Sequence, residues 1–340
     1  MNEVTHPWAV PWPPPGPMTF GQILDRTYKV ARANLKLFLG IASVPSSAIF
    51  VVVAAVLACM IPILGPQIAA AKAGAAQGTA AVPPTFSIYL IGGLFLIIYP
   101  IMFAVYALYM PAASYAATKA DMGIKITFGE SYGVAARHFW RYLWLMILPG
   151  LFVIVPMAFI GGAVAAGAVL MGRAAGGTGS MAMFFLVPLM VLLYICFMVY
   201  AVMLMLRFAV AFPAAVAEDL TAWGALKRSG KLTDGAKGRI FLVMLVVYAV
   251  MYAFNLVVML ALMVVGALGA AAALMAHVAE GSAAFYILIA LAALAYVLMV
   301  VATAMVSYVG LTTALAVLYH DQKLRKDGLA AAGLVVGGAV

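Results

Sequence analysis

Six long apolar runs dominate the chain, at roughly 41–63, 88–110, 146–170, 182–205, 240–265 and 285–308. A bilayer core of about 30 Å takes about 20 helical residues to cross, so each run is long enough to span. Two stretches exceed one span: residues 240–276 and 282–319 continue with almost no charge. Neither holds a polar turn at its middle, so neither is divided. Residues 266–283 are read as an outer connection and 309–320 as the inward tail of the sixth helix, like 111–120 and 206–217.

Between the runs lie short segments with a different pattern. In Met18–Gly40, the residues Phe20, Ile23, Leu24, Tyr28, Ala31 and Leu35 recur at a spacing of three and four. That period predicts an amphipathic helix with this stripe buried. Asp25, Lys29, Arg32 and Lys36 fall on the opposite stripe. A helix of this kind either lies flat at a membrane surface or tucks against the bundle.

The segment has relatives within the chain. Phe20-Gly21, Phe128-Gly129 and Trp223-Gly224 each open a basic stretch that ends in a cation at the mouth of a span: Lys36, Arg141 and Arg239. Met110-Pro111-Ala112-Ala113 parallels Phe212-Pro213-Ala214-Ala215, and Asp121 and Asp321 fall at similar places after the second and sixth runs. The predicted fold is therefore all-α: a polytopic helical membrane protein with six transmembrane helices, built as three degenerate helix-hairpin repeats with cytoplasmic amphipathic helices. The units cover about 18–120, 121–219 and 220–328. A Pro-rich arm over 1–17 is expected to be disordered, with docking of a proline-reading partner as the alternative, and 329–340 form a C-terminal tail.

Charge decides the orientation. Arg26, Lys29, Arg32 and Lys36 precede the first run; Lys119, Lys125, Arg137 and Arg141 follow the second; Lys227, Arg228, Lys231, Lys237 and Arg239 follow the fourth; Lys323, Arg325 and Lys326 follow the sixth. These are sixteen of the nineteen Lys and Arg. The alternate loops hold Lys72 and Arg173. The positive-inside rule then predicts both termini in the cytoplasm. Residues 1–17 lack the basic and apolar regions of a cleavable signal peptide.

Several of these stretches resemble a bacterial family, the glycerophosphoryl diester phosphodiesterase membrane-domain-like proteins. The resemblance is carried by MTFGQILDRTYKVARANLKLFLG at 18–40; by Glu218 with Ala225-Leu226-Lys227-Arg228-Ser229, Leu232-Thr233 and Gly235; and by Ala314-Leu315, Tyr319-His320-Asp321 and Arg325-Lys326-Asp327-Gly328. Gly230 stands where an aromatic residue is expected, and His320 where tyrosine is. The resemblance implies a multi-pass membrane module without the phosphodiesterase domain, hence no phosphodiesterase activity, in a bacterial inner membrane.

Composition excludes a soluble fold. Apolar residues make up 67% of the 340 and charged residues 9%, against roughly 45–50% and about 25% in soluble domains. The net charge of +9 then speaks for membrane orientation rather than nucleic acid. Cys59 and Cys196 both lie in apolar runs and read as inert packing groups. No Asp, Glu, Lys or His lies inside the six runs, which counts against an ion-coupled pump. HExxH and GxxxxGK[ST] are absent, and His277 with Glu280 is at most half of a metal site. No enzyme, cofactor or metal is expected.

The candidate contacts are instead cations facing lipid headgroups or a partner protein: Arg26, Lys29, Arg32, Lys36, Arg207, Lys227 and Arg228. Arg207, at the end of the fourth run, either snorkels to lipid phosphates or pairs with a carboxylate such as Asp25 or Glu130. Asn255 is a candidate interhelical polar contact, with a substrate contact as the alternative. Gly161, Gly162, Gly167, Gly266 and Gly269 are expected to let helices approach closely, within the chain or between copies in a homo-oligomer. The expected role is a non-enzymatic membrane protein binding anionic phospholipid or a membrane partner, with a transporter or lipid-moving permease as the alternative.

Overall fold

The computed structural model describes residues 16–76, 85–174, 179–275 and 283–331. Nearly all of the Pro-rich arm, His277, Glu280 and the end of the C-terminal tail lie outside these residues. Among the described residues every regular element is a helix. Three helices are short: α1 (Phe20–Ala33), α4 (Phe128–Arg137) and α8 (Ala222–Thr233). Two long helices follow each of them, with a short α7 set between the second pair and α8. These are α2 (Leu35–Ala76) and α3 (Thr85–Asp121), then α5 (Phe139–Ala174), α6 (Gly179–Phe208) and α7 (Ala211–Ala217), then α9 (Lys237–Met275) and α10 (Ala283–Ala331). The six long helices are long and apolar enough to cross a membrane, which makes the chain a multi-pass membrane protein.

A threonine starts each of α1, α4 and α8. Thr19, Thr127 and Thr221 are extended at the N-cap, and their hydroxyls accept from the backbone N–H groups of Gln22, Glu130 and Gly224. In α1 and α4 the third-position side chain returns a bond to the cap backbone. A capping residue of this type contributes about 1 kcal/mol. The aromatic–glycine pairs of the sequence therefore sit in the first turn, immediately inside a cap.

α1 is rotated from its expected setting. Its buried face is Ile23, Arg26, Thr27 and Val30, while Phe20 and Tyr28 are exposed. At 3.6 residues per turn this displaces the buried stripe by about a quarter turn from the one the apolar spacing indicates. The cause is Arg26, which is drawn inward by an ion pair described below.

The overlong runs are single helices. α10 continues unbroken through 309–320, the stretch expected to be the tail of the sixth helix, and α9 reaches Met275, so the connection between α9 and α10 starts later than the expected residue 266. The corresponding tail after α6 is broken at 209–210 before α7. Pro213 removes the N–H that would have bonded the carbonyl of Ala209.

Packing is concentrated at one end. The buried side chains come mainly from α1, the starts of α2, α5 and α9, the last third of α3, the end of α6, the part of α10 around 309–324, and α4, α7 and α8, including Tyr109, Tyr142, Leu232, Ile240 and Tyr319. Farther along the spans, large apolar side chains such as Leu96, Val257 and Met263 are exposed, where lipid is their solvent. The expected small-residue contacts do not form among the described residues: a Cβ on Gly161, Gly162, Gly167, Gly266 or Gly269 would have nothing within 4 Å. A close approach between spans is made at Gly310, where a Cβ would run into the Met251 side chain of α9.

Two prolines inside spans are compensated by tyrosines on other helices. Pro45 in α2 leaves the carbonyl of Ile41 without its helical donor, and Tyr132 of α4 donates its hydroxyl to that oxygen at 2.8 Å. Pro156 in α5 does the same to Phe152, whose carbonyl accepts from Tyr200 of α6 at 2.9 Å. In hydrocarbon an unsatisfied carbonyl is costly, so each proline fixes where its neighbour packs. Tyr132→Phe should destabilise the detergent-solubilised protein by about 1 kcal/mol. In a Pro45→Ala background, residue 45 supplies its own N–H, and the same change should cost less than half as much. Thermal unfolding of the four proteins of that cycle measures this; equal costs in both backgrounds would refute the pairing.

Candidate functional site

The packed end is a layer of charged side chains. Each of its central carboxylates sits where an apolar stretch of sequence ends. Asp121 closes α3; Arg26 of α1 donates Nε to Asp121 Oδ1 at 2.5 Å and Nη2 to its backbone carbonyl at 2.9 Å. His320 Nδ1 of α10 lies 2.6 Å from the other carboxylate oxygen. All three side chains are almost fully buried.

Asp321, next on α10, holds the entry to α1. Its Oδ1 accepts the backbone N–H of Met18 at 2.8 Å. Its Oδ2 accepts Arg325 Nε at 3.0 Å and lies 3.4 Å from Arg239 Nη2 at the start of α9. Both arginines also donate to the carbonyl of Met18, Arg325 at 2.7 Å.

Glu218 follows α7. Arg228 of α8 grips it with Nε and Nη2, at 2.9 and 3.1 Å, and also pairs with Asp327 beyond the buried part of α10. Tyr319 of α10 donates its hydroxyl to Glu218 at 2.8 Å, and Lys323 lies 3.3 Å away. Burial alone would raise this carboxyl, but the bonds from Arg228 and Tyr319 and the charges of Lys323 and Arg228 hold it below the usual glutamate range. Asp219, at positive φ, takes Arg141 Nη1 at 2.6 Å, and this bond lowers its carboxyl. The end of α6 is closed by α8: Ser229 Oγ donates to the carbonyl of Arg207 at 2.8 Å, and Thr233 Oγ1 at 3.3 Å.

This layer divides the expected contact residues. Arg26 does not face headgroups; it is 5% exposed and paired with Asp121. Arg228 is likewise turned to Glu218 and Asp327. Lys29 pairs with Asp25 one turn away and stays half-exposed. Arg32 lies beside the Tyr28 hydroxyl at 3.1 Å on the exposed face of α1. Lys36 and Lys227 are exposed, Lys227 over the Trp223 ring. Arg207 is exposed and lies along α8; among the described residues no carboxylate pairs with it. A Cβ at Gly230 would lie 3.3 Å from Arg207 Nε, so an aromatic residue at 230 would displace this arginine. Asn255 of α9 donates Nδ2 to Ser307 Oγ of α10 at 3.2 Å and to the carbonyl of Met251 at 2.8 Å.

Asp121, His320, Asp321, Glu218 and Arg239 form the centre of the layer, and none was among the expected contacts. The available signal was the position of the carboxylates: an acid at the end of an apolar helix needs a cation from elsewhere. Higher in the bundle, α5, α6, α9 and α10 border an apolar groove of about 510 Å³ lined by residues such as Pro149, Leu204, Tyr248 and Leu311. Among the described residues no group of three or more His, Cys, Asp or Glu is placed to hold a metal ion. No protein-family model, no curated protein and no solved structure matches this chain.

Removing one member of a buried ion pair leaves a bare charge and costs about 3–5 kcal/mol, whereas replacing both with apolar groups costs far less. Asp121→Leu alone should therefore destabilise the protein severely, and adding Arg26→Leu should recover much of the loss. Thermal midpoints of the single and double variants test this. A double variant as unstable as the sum of the singles would show that the pair is not coupled.

Proposed function

We propose that the chain is a non-enzymatic protein of a bacterial inner membrane, with both termini cytoplasmic, whose basic end engages anionic lipid headgroups. The motifs shared with the glycerophosphoryl diester phosphodiesterase membrane-domain-like proteins support the same setting. One observation carries the reading. The carboxylates of the charged layer are consumed by internal arginines, while Lys36, Lys119, Lys125, Arg137, Lys227 and Lys231 have no carboxylate partner among the described residues. The outward surface of this end is thus strongly positive, and each cation near an anionic headgroup contributes about 1 kcal/mol.

The apolar groove between α5, α6, α9 and α10 supports a second reading, a lipid-moving permease, since it offers a path for an acyl chain along the bundle. Faster transbilayer movement of a labelled phospholipid in proteoliposomes would favour that reading over the first.

The full-length protein in neutral detergent should gain thermal stability on addition of phosphatidylglycerol and gain less from phosphatidylcholine. The difference should shrink in 1 M salt, where the Debye length is about 3 Å. Equal gains from both lipids would remove the headgroup role. For orientation, a cysteine replacing Lys227 in a background lacking Cys59 and Cys196 should be shielded from an impermeant thiol reagent in intact cells and labelled after lysis. Labelling in intact cells would reverse the topology.

A further inference from the structure

A concavity among the described residues gathers three cations that have no carboxylate partner there. It has a volume of about 570 Å³ and lies between the last turn of α3, the connection 122–127 and α4, within the roughly 300–1,000 Å³ typical of ligand sites. Lys119 enters from α3, Lys125 from the connection and Arg137 from the last turn of α4. None of the three has a carboxylate partner among the described residues. The Lys119 ammonium rests over the Tyr115 ring, 5.8 Å from its centre, which directs it.

Glu130 is the one carboxylate among the lining residues, and it is already engaged. Its Oε2 accepts the Thr127 backbone N–H at 2.7 Å and the Thr127 hydroxyl at 3.0 Å. Those bonds serve the start of α4 and hold the carboxylate against the helix end. The wall formed by α4 carries Glu130, Val134 and Arg137 but is open between them: Gly129 and Gly133 stand one turn apart, and a Cβ on either would have nothing within 4 Å. Three cations around that open space suit a bulky anion.

The rim identifies the kind of anion. Lys119 is two residues from the end of the apolar span Gly92–Asp121. Ile124 and Phe128, on the connection and at the start of α4, are 43% and 45% exposed. On the first turns of the following span Trp140 and Trp144 are 71% and 53% exposed, a placement characteristic of the membrane–water interface. A soluble phosphate has no use for this apolar surround, but a lipid whose phosphate enters the concavity has acyl chains leaving beside it.

We infer that the concavity formed by Lys119, Lys125 and Arg137 is a docking site for the headgroup phosphate of an anionic phospholipid. The inference rests on the headgroup reading above and narrows it from a surface to a site.

Native mass spectrometry of the full-length protein, titrated in neutral detergent with phosphatidylglycerol or phosphatidylcholine, tests it. Two variants attack the site independently. Lys119→Gln with Lys125→Gln and Arg137→Gln removes the charge. Gly133→Leu fills the space and keeps the charge; nothing lies in its way, and leucine favours a helix more than glycine does. Lys227→Gln with Lys231→Gln, elsewhere on the same end, gauges diffuse attraction. An unchanged thermal midpoint certifies each fold.

Each concavity variant is expected to weaken the tightest phosphatidylglycerol by about tenfold or more and leave phosphatidylcholine unaffected. If Gly133→Leu binds like the parent and the triple variant loses no more per charge than the α8 pair, the site is overturned while the headgroup reading stands. If the parent itself does not prefer phosphatidylglycerol, both fall. Displacement of the lipid by millimolar glycerol phosphate or inorganic phosphate would assign the concavity to a soluble phosphate and overturn the lipid assignment.

Discussion

A carboxylate at the end of a membrane-spanning helix cannot stay both ionised and unpartnered where the surroundings turn apolar. The arrangement of this protein follows from meeting that demand three times. Asp121, Glu218 and Asp321 each end an apolar stretch, and each is met by cations from other helices: Arg26 for Asp121, Arg228 and Lys323 for Glu218, Arg239 for Asp321. The last turns of α10 take part in all three, through His320, Tyr319 and Asp321 itself. The three hairpins are therefore joined by one polar layer with α10 at its centre. Apolar packing joins the hairpins at the same end, through side chains such as Ile23, Leu232, Ile240 and Leu318, but not farther along the spans. Only 6% of the most apolar window of α5, and the same share of α6, is buried, and lipid tails give apolar helices no reason to exclude them.

A second, weaker set of ties runs through the backbone. Pro45 and Pro156 each free one carbonyl, and each carbonyl is capped by a tyrosine from another helix. Such a bond specifies a partner more than it stabilises, since its net value is about 1 kcal/mol. Its effect is positional: Tyr132 sets α4 against α2, and Tyr200 sets α6 against α5. At the end of α6, the hydroxyls of Ser229 and Thr233 cap the carbonyl of Arg207 in the same way. Hydroxyls thus finish helices at the points where prolines and breaks expose them.

The helical architecture was legible because a bilayer imposes a simple rule: an apolar run of about 20 residues must be a closed hydrogen-bonded helix. All six runs obey it. Two of the three threonine caps were also readable, since Thr19 and Thr127 stand three residues before Gln22 and Glu130. The face of α1 was not readable. Its apolar spacing favoured a stripe through Phe20, Leu24 and Tyr28, and a single pair between Arg26 and Asp121, 95 residues apart, outweighed it. Local periodicity carries no information about a partner that distant. Gly161, Gly162, Gly167, Gly266 and Gly269 meet no neighbour among the described residues for a related reason: a small residue permits close approach, but only a neighbouring helix at that height makes use of it, as Met251 does at Gly310.

The cations sort by type as well as by place. Those paired with carboxylates among the described residues are Arg26, Arg141, Arg228, Arg239 and Arg325, joined by Lys323 and, on the exposed face of α1, Lys29. Among those without a carboxylate partner, lysine leads: Lys36, Lys119, Lys125, Lys227 and Lys231, with Arg137 and Arg207. A topology rule counts the two residue types equally, but their chemistry differs. The planar guanidinium can bond two acceptors at once in a fixed fork, as Arg228 does with Glu218 and Arg26 with the side chain and backbone of Asp121. It is also less strongly hydrated, so burying it costs less. The ammonium of lysine is a compact charge that prefers water or an exposed anion. The same excess of positive charge therefore has two physical uses at this end of the protein: arginine fastens the helices to one another, and lysine faces whatever anion lies outside.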